Sequence, residues 1–339
     1  MRESEQDIYD QIERQLGRPA TAVLAIDDAA TAVMARHHVI RFRNRVMVKK
    51  PKPHEQFVLM DKASFERIAS PSIIGMPPRQ VNDTFDYVRS AAKDLTANDH
   101  YILFGAGTSC QTVWDMETLE VRADIPADDC VWRLSHSLPL IAKPVEFIMD
   151  LVDNDMGRYA DILQSLAPLL MATKPDGVVW WSGDGTDGKL VIVEALNRIF
   201  PDQLASLSLK QLIGGRSNTP LLNSALGNIA KDSGMVTDTE IYKSIGTHED
   251  FSMHRWHGQD GITVRGDVHH IFLTENPPRF QVKGLSIDRR TQVVPFGHHD
   301  KSPKHRLPDS QLGQLIAEMC RYAAIIKRQG YRYEWSTQN

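Results

Sequence analysis

The segment from Gly177 to Phe200 constrains this chain more than any other. Gly177-Val-Val-Trp-Trp181 reads as a short apolar strand and Leu190-Val-Ile-Val-Glu-Ala-Leu-Asn-Arg-Ile-Phe200 as a helix. Between them lies the glycine loop Gly183-Asp-Gly-Thr-Asp-Gly-Lys189. Strand, glycine loop and helix in that order turn successive backbone N–H groups inward, where they can hold phosphate oxygens at a helix N-terminus. The loop fits the pattern GxxxxGK through Gly183, Asp184, Gly185, Thr186, Asp187, Gly188 and Lys189. In that pattern the lysine reaches the outer phosphates and a following Ser or Thr holds Mg²⁺. Here Leu190 occupies the hydroxyl position. A Gly/Asp-rich surface turn is the alternative reading, and the flanking elements together with the lysine favour phosphate binding.

With 339 residues the chain has room for two or three domains. A net charge of -4 excludes nucleic-acid affinity from overall charge, so any basic surface must be local. Two local excesses stand out. From Arg36 to Lys52 there are seven Lys/Arg and no acid, and from Arg279 to Arg332 eleven Lys/Arg against four Asp/Glu. Within the first, Arg41, Arg43 and Arg45 alternate with other residues, which in one continuous strand would place three guanidinium groups on one face. A charged edge strand and a nucleic-acid contact both fit this run. Cys110, Cys130 and Cys320 lie far apart without a CxxC pair, pointing to a reducing compartment and away from structural zinc. The polar start Met1-Arg-Glu-Ser-Glu-Gln-Asp does not read as a signal peptide, so none is expected, and no apolar run approaches membrane-spanning length. The expected location is the cytoplasm, with no membrane partner.

The fold class expected is α/β. Helical spacing covers residues 3–16, 27–37, 80–95, 144–154 and 158–173. A hairpin is expected from Tyr101–Gly105 and Gln111–Val121, and a linker from Pro139 to Pro144. From Gly177 to Phe296 strands and helices alternate, as in a nucleotide-binding core. The tail carries an amphipathic helix over 310–328 with Leu312, Leu315, Ile316, Met319, Tyr322 and Ile325 on one stripe. This predicts a small N-terminal α+β module (1–98) for DNA binding, docking or oligomerisation, a hairpin and helical region (99–174), a P-loop α/β nucleotide-binding core (175–300) and a helical tail (301–339).

An NTPase also needs an acid for the metal and its waters, a polar group facing the γ-phosphate, and an arginine for transition-state charge. Candidates follow in that order: Asp232 after Leu226-Gly-Asn-Ile-Ala-Lys, Asn276 after His270-Ile-Phe-Leu-Thr-Glu, and the pair Arg289 and Arg290 before a strand ending at Phe296. Taken singly, each also reads as an ordinary loop or surface residue. Between Asp232 and Asn276, Gly258 and Gly261 could turn a hairpin bearing Arg255, His257 and Arg265, a cationic set suited to a single-stranded backbone or simply a surface hairpin.

From Ile102 to Phe296 the ordered set resembles superfamily 3 helicases, in particular the poxvirus- and phage-type primase-helicase NTPases of the AAA+ class. Thr112–Val121 and Ile125–Asp129 resemble that family's helical collar, Gly183–Lys189 its motif A, and Asn228–Asp232 a reduced motif B. Lys243–Asp250 is similar to its K-x-x-x-G-x-D segment, Thr274–Pro278 to motif C, and Arg289-Arg290 to its arginine-finger segment. The resemblance implies a homo-hexameric ring that binds ATP and Mg²⁺ between subunits and moves single-stranded DNA through its pore, alongside a primase or other replication proteins. It implies that Lys189 contacts the phosphates, Asp232 serves Mg²⁺, Asn276 faces the γ-phosphate, and Arg289 or Arg290 acts on the neighbouring subunit's nucleotide. Lys243, Arg255, His257 and Arg265 would contact DNA. A phage or mobile-element replication helicase in a bacterial host cell is the leading expectation. A hydrolysis-deficient, AAA+-shaped DNA-binding scaffold or loader is the alternative, because Leu190 removes a metal ligand and motif B offers one acid. A small-molecule P-loop kinase fits poorly, since it leaves the arginine pair and the basic hairpin unexplained. The first hundred residues show no acidic and His motifs of a primase-polymerase, so priming is not expected.

Overall fold

The computed structural model describes residues 20–43, 45–50, 55–139, 141–184, 187–213, 219–236, 238–253, 262–281, 284–297 and 306–336. The helix expected over 3–16 lies outside them. The chain divides into two compact units, Met1–Pro51 with Glu55–Ala97, and Lys52–His54 with Asn98–Asn339.

The first unit contains helix α1 (Ala20–Arg36), strands β1 (Val39–Phe42), β2 (Arg45–Lys49) and β3 (Phe57–Leu59), helices α2 (Lys62–Ile73) and α3 (Pro78–Ala91), and the short strand β4 (Lys93–Asp94). The strand order is β3-β2-β1-β4, with β1 antiparallel to β2 and parallel to β4. Val33, Val39, Val46, Phe65 and Val88 close a core between sheet and helices. The single strand expected to display Arg41, Arg43 and Arg45 on one face does not form. Arg43 takes a φ of 48° at a reversal of the chain, so Phe42 faces Arg45 across a hairpin. Two short strands bury Phe42, Val46 and Met47, which outweighs continuing one exposed basic strand. Arg41 instead pairs with Asp94 of β4 at 3.0 Å.

The second unit begins with strands β5 (Tyr101–Phe104), β6 (Thr112–Asp115), β7 (Glu120–Arg122) and β8 (Trp132–Leu134), ordered β7-β6-β5-β8. Thr112–Val121 is therefore strand and turn, as the hairpin pattern predicts and unlike the helical collar of the resemblance. Ile125–Asp129 contributes only a 3-10 turn at Ala127–Asp129. Valine and tryptophan in β6 favour a half-buried pleated surface over a helix, and Trp114 Nε1 donates to Leu170 O at 3.0 Å. Helices do follow, as α4 (Glu146–Leu151) and α5 (Met156–Leu166), the latter capped by the Asp155 carboxylate.

The remainder runs β9 (Val178–Ser182), α6 (Lys189–Ile199), β10 (Leu204–Ala205), α7 (Leu209–Ile213), β11 (Gly227–Lys231), β12 (Met235–Val236), α8 (Thr239–Gly246), β13 (Phe251–Met253), β14 (Ile262–Val264), β15 (His269–Thr274), β16 (Arg279–Phe280), α9 (Leu285–Asp288), β17 (Thr291–Pro295) and α10 (Asp309–Arg328). Five of these strands form an all-parallel sheet in the order β10-β11-β15-β9-β17. Every residue of β9 and β15 is buried, as expected of central strands covered on both faces. Trp180 fixes one layer: its ring lies 5.0 Å from Phe272, and its Nε1 donates to Tyr242 OH at 3.0 Å. Helix α10 buries the predicted stripe, with Ile326 deeper than Ile325. Among the described residues no helix is long and apolar enough to cross a membrane.

Candidate functional site

Sequence order along the parallel sheet is broken beside β9, where β15 inserts between β9 and β11. Open sheets of this kind offer a crevice beyond the carboxyl ends of their strands at such a break. A cavity of about 460 Å³ opens there, lined by Gly183, Asp184, Asp187, Lys189 and Leu190 after β9, Lys231, Asp232 and Ser233 after β11, and Leu273–Asn276 at the end of β15. Its volume lies within the range of small-molecule sites. Lys189, Asp232 and Asn276, far apart in sequence, thus meet on one cavity.

The glycine loop explains its own composition. Gly188 adopts a φ of 81° immediately before α6, a conformation that favours glycine, and a Cβ there would strike Leu151. Lys189 is the first residue of α6 and only 6% exposed. Its Nζ donates to Gly183 O at 2.7 Å and Asp184 O at 3.1 Å, and pairs with the Asp187 carboxylate. The Phe296 ring lies 5.8 Å from the same nitrogen. Gly185 and Thr186 lie outside the described residues. Leu190 is 48% exposed and presents an aliphatic wall to the cavity where a hydroxyl was sought.

Asp232 is placed as expected, at the carboxyl end of β11, but its oxygens have structural work. One accepts Leu209 N–H at 2.8 Å and the other Gly234 N–H at 2.9 Å, so the carboxylate ties α7 to the turn beyond β11. Asn276 is exposed at the cavity, and its carbonyl accepts the Thr274 hydroxyl at 2.7 Å. The cavity also gathers Lys231, Ser233, Thr274 and Glu275, which the motif reading did not single out. The available signal was adjacency: Lys231 precedes Asp232 and Glu275 precedes Asn276.

Arg289 and Arg290 are not brought to this cavity. They precede β17, whose Thr291 is level with Val178 at the start of β9 and whose Pro295 is level with Ser182 at its end. A strand of this length puts them at the other edge of the sheet, about 15 Å from the loop of their own chain. The two arginines also differ. Arg290 donates from Nη1 to Ser286 O at 2.7 Å and packs its stem on Gly246, whereas Arg289 is exposed. Nor do the proposed DNA contacts join the site. Lys243 on α8 donates to Glu240 at 2.7 Å, and Arg265 pairs with Asp267 and, at 3.5 Å, with Asp99. Strands β13 and β14 pair antiparallel, and Arg255, His257, Gly258 and Gly261 between them lie outside the described residues.

At the amino ends of β11 and β15 the polar groups are enclosed by contrast. His269 and His270 are completely enclosed, and burial lowers both ring pKa values, that of His270 to about 3. Nε2 of His269 sits 2.8 Å from Ser165 O and so carries the proton it donates. Asn228 holds Leu207 through both N–H and C=O at 2.8 and 2.9 Å, and its amide nitrogen lies 3.3 Å from His270 Nδ1. Among the described residues one group of three possible metal ligands comes together, His100, Asp115 and Glu117 in the β5–β7 meander. There Asp115 already accepts the N–H groups of Glu117 and Thr118 and pairs with Arg122 at 3.2 Å.

No family model matches the chain, and no curated protein sequence matches it. Among solved structures it is similar to an apo structure of the NrS-1 C-terminal region at 13% identity and a TM-score of 0.49, covering 91% of this chain and 69% of that one. Two further apo structures of that region match at 14% identity. Their TM-scores are 0.46 and 0.48, with coverage of 86% and 87% of this chain and 66% and 67% of theirs. Identity this low carries no residue role across. The description the molecule itself supports is a mixed α/β protein with a glycine loop and a cavity lined by both charged and aliphatic residues at the carboxyl edge of a parallel sheet.

Proposed function

We propose that the protein is an AAA+-type P-loop NTPase that binds ATP and acts as an ATP-dependent DNA helicase in phage or mobile-element replication. One observation carries the nucleotide reading: Lys189, Asp232 and Asn276 converge on one cavity at the carboxyl ends of three adjacent parallel strands. In this reading the start of α6 and the Lys189 ammonium hold the phosphates, and Asn276 orients the terminal phosphate and its attacking water. The carboxylates of Asp232 and Glu275 and the hydroxyl of Thr274 are hard oxygen donors that suit Mg²⁺, which would neutralise developing phosphate charge; Leu190 contributes none. Arg289, exposed and remote from its own cavity, fits a role on the nucleotide of a neighbouring subunit in a homo-hexamer. Single-stranded DNA would then move with ring closure.

A second reading keeps the fold and nucleotide binding but not turnover, a DNA-binding scaffold or loader. The aliphatic Leu190 wall and the occupied oxygens of Asp232 favour it. ATPase rates with and without single-stranded DNA, together with particle images, separate the two. The helicase reading expects DNA-stimulated hydrolysis by rings. ATP binding without hydrolysis selects the scaffold, and no ATP binding removes both.

A further inference from the structure

The glycine loop contains its own anion. The Asp187 side chain is 2% exposed and forms an ion pair with Lys189. An ammonium group has three donors, and those of Lys189 are met by Gly183 O, Asp184 O and the Asp187 carboxylate. The other Asp187 oxygen accepts the backbone N–H of Lys189 at 3.2 Å, at the start of α6. Lysine ammonium and helix-start N–H are the two kinds of donor with which a loop of this shape grips a phosphate. Gly183 completes the arrangement, because a Cβ at that position would collide with the Asp187 carboxylate. The space left by the glycine is filled by the chain's own acid.

We propose that Asp187 is an internal stand-in for phosphate, which occupies the cradle in the nucleotide-free protein and must be displaced before a nucleoside triphosphate can bind. Asp187 therefore sets the affinity of the site. A carboxylate and a phosphate compete for the same donors and repel each other across a short distance, so the closed cradle lowers apparent affinity by the fraction of molecules in which it is open. The inference rests on the reading of Lys189 as a phosphate ligand, and the experiment is chosen to separate the two.

Equilibrium titration of the full chain with a fluorescent ATP analogue and with pyrophosphate, for the natural protein and for Asp187→Asn, tests it without turnover. The amide keeps the shape and removes the charge, so both ligands should bind Asp187→Asn about tenfold tighter or more. Binding by the natural protein that is unchanged or weaker in Asp187→Asn overturns the inference and leaves the nucleotide reading standing. Failure of both proteins to bind either ligand overturns the nucleotide reading and the inference with it. Asp187→Ser carries the same test should the amide variant fold poorly. A third measurement needs no variant: in the nucleotide-free natural protein, acylation mapped by mass spectrometry should modify Lys189 at least about tenfold more slowly than the exposed Lys231 of the same cavity. Equal rates would overturn the caged lysine.

Discussion

The two edges of the parallel sheet are built from the same five strands and do opposite things. At the carboxyl edge, charged and polar groups from three loops face a cavity: Lys189, Lys231, Asp232, Glu275 and Asn276. At the amino ends of β11 and β15, Asn228, His269 and His270 are enclosed: Asn228 and His269 hydrogen-bond the backbone of Leu207 and Ser165, and His270 faces the Asn228 amide. Polarity alone therefore says little about function. What separates these groups is access: Lys231, Asp232, Glu275 and Asn276 lie at the carboxyl ends of β11 and β15 and line the cavity, whereas Asn228, His269 and His270 at the other ends of the same two strands are enclosed.

This contrast can be broken most forcefully at Asn228. Replacing it with Ala leaves the buried N–H and C=O of Leu207 without their partners, which should cost about 3 kcal/mol of stability. Chemical denaturation should show that loss while the affinity for an ATP analogue stays put. An affinity that fell along with stability would merge the two edges into one functional unit. Lys189→Ala makes the complementary test. Loss of a charge-assisted contact worth about 1.5–3 kcal/mol should weaken ATP binding about 10- to 100-fold. The variant also strands the buried Asp187 charge, so its stability should fall too. Adding Asp187→Asn should restore the stability and leave binding about 10- to 100-fold weaker than in Asp187→Asn alone. Binding by the double variant as tight as that of Asp187→Asn alone would show that the lysine does not hold phosphate.

Acid should act on the amino edge through His270. Burial holds His270 at about 3 in the folded protein against 6.5 when free, so the unfolded chain binds more protons between those values. Stability is then complete above pH 6.5 and is lost as pH falls towards 3, with a slope of up to about 1.4 kcal/mol per unit from this residue. His270→Gln should flatten that part of a denaturation-versus-pH curve, and an unchanged slope would place the proton uptake elsewhere. The smallest effect belongs to Arg289. As an exposed residue it should change stability by less than about 0.5 kcal/mol when replaced by Ala and leave ATP affinity unaltered. Any loss should appear only in ATPase at concentrations where rings assemble; lost ATP affinity in the dilute monomer would contradict action between subunits.

The positions of Lys189, Asp232 and Asn276 were legible because each follows an apolar run that reads as a strand, and in a parallel sheet carboxyl ends share one edge. The strand, loop and helix around Gly183–Lys189 were legible for the same local reasons. Other features depended on partners distant in sequence. The helical collar reading of Thr112–Val121 gave way to a meander because β6 finds β5 and β7 on its two sides. Arg41 was written as part of a basic face, yet Asp94, which neutralises it, arrives only with β4.

By itself, then, the sequence determined an α/β core, the glycine loop between a strand and a helix, and the order of its companion residues, since periodicity and glycine placement are local properties of the chain. Tertiary structure alone decided that β15 would slide between β9 and β11 and bring Asn276 beside Lys189. It also decided that Arg290 would be tied down while Arg289 stays exposed, and that Asp187 would fold back on the lysine two residues away. Those outcomes rest on burial, charge pairing and strand register between segments far apart in the chain or turned tightly upon themselves, and no local pattern encodes them.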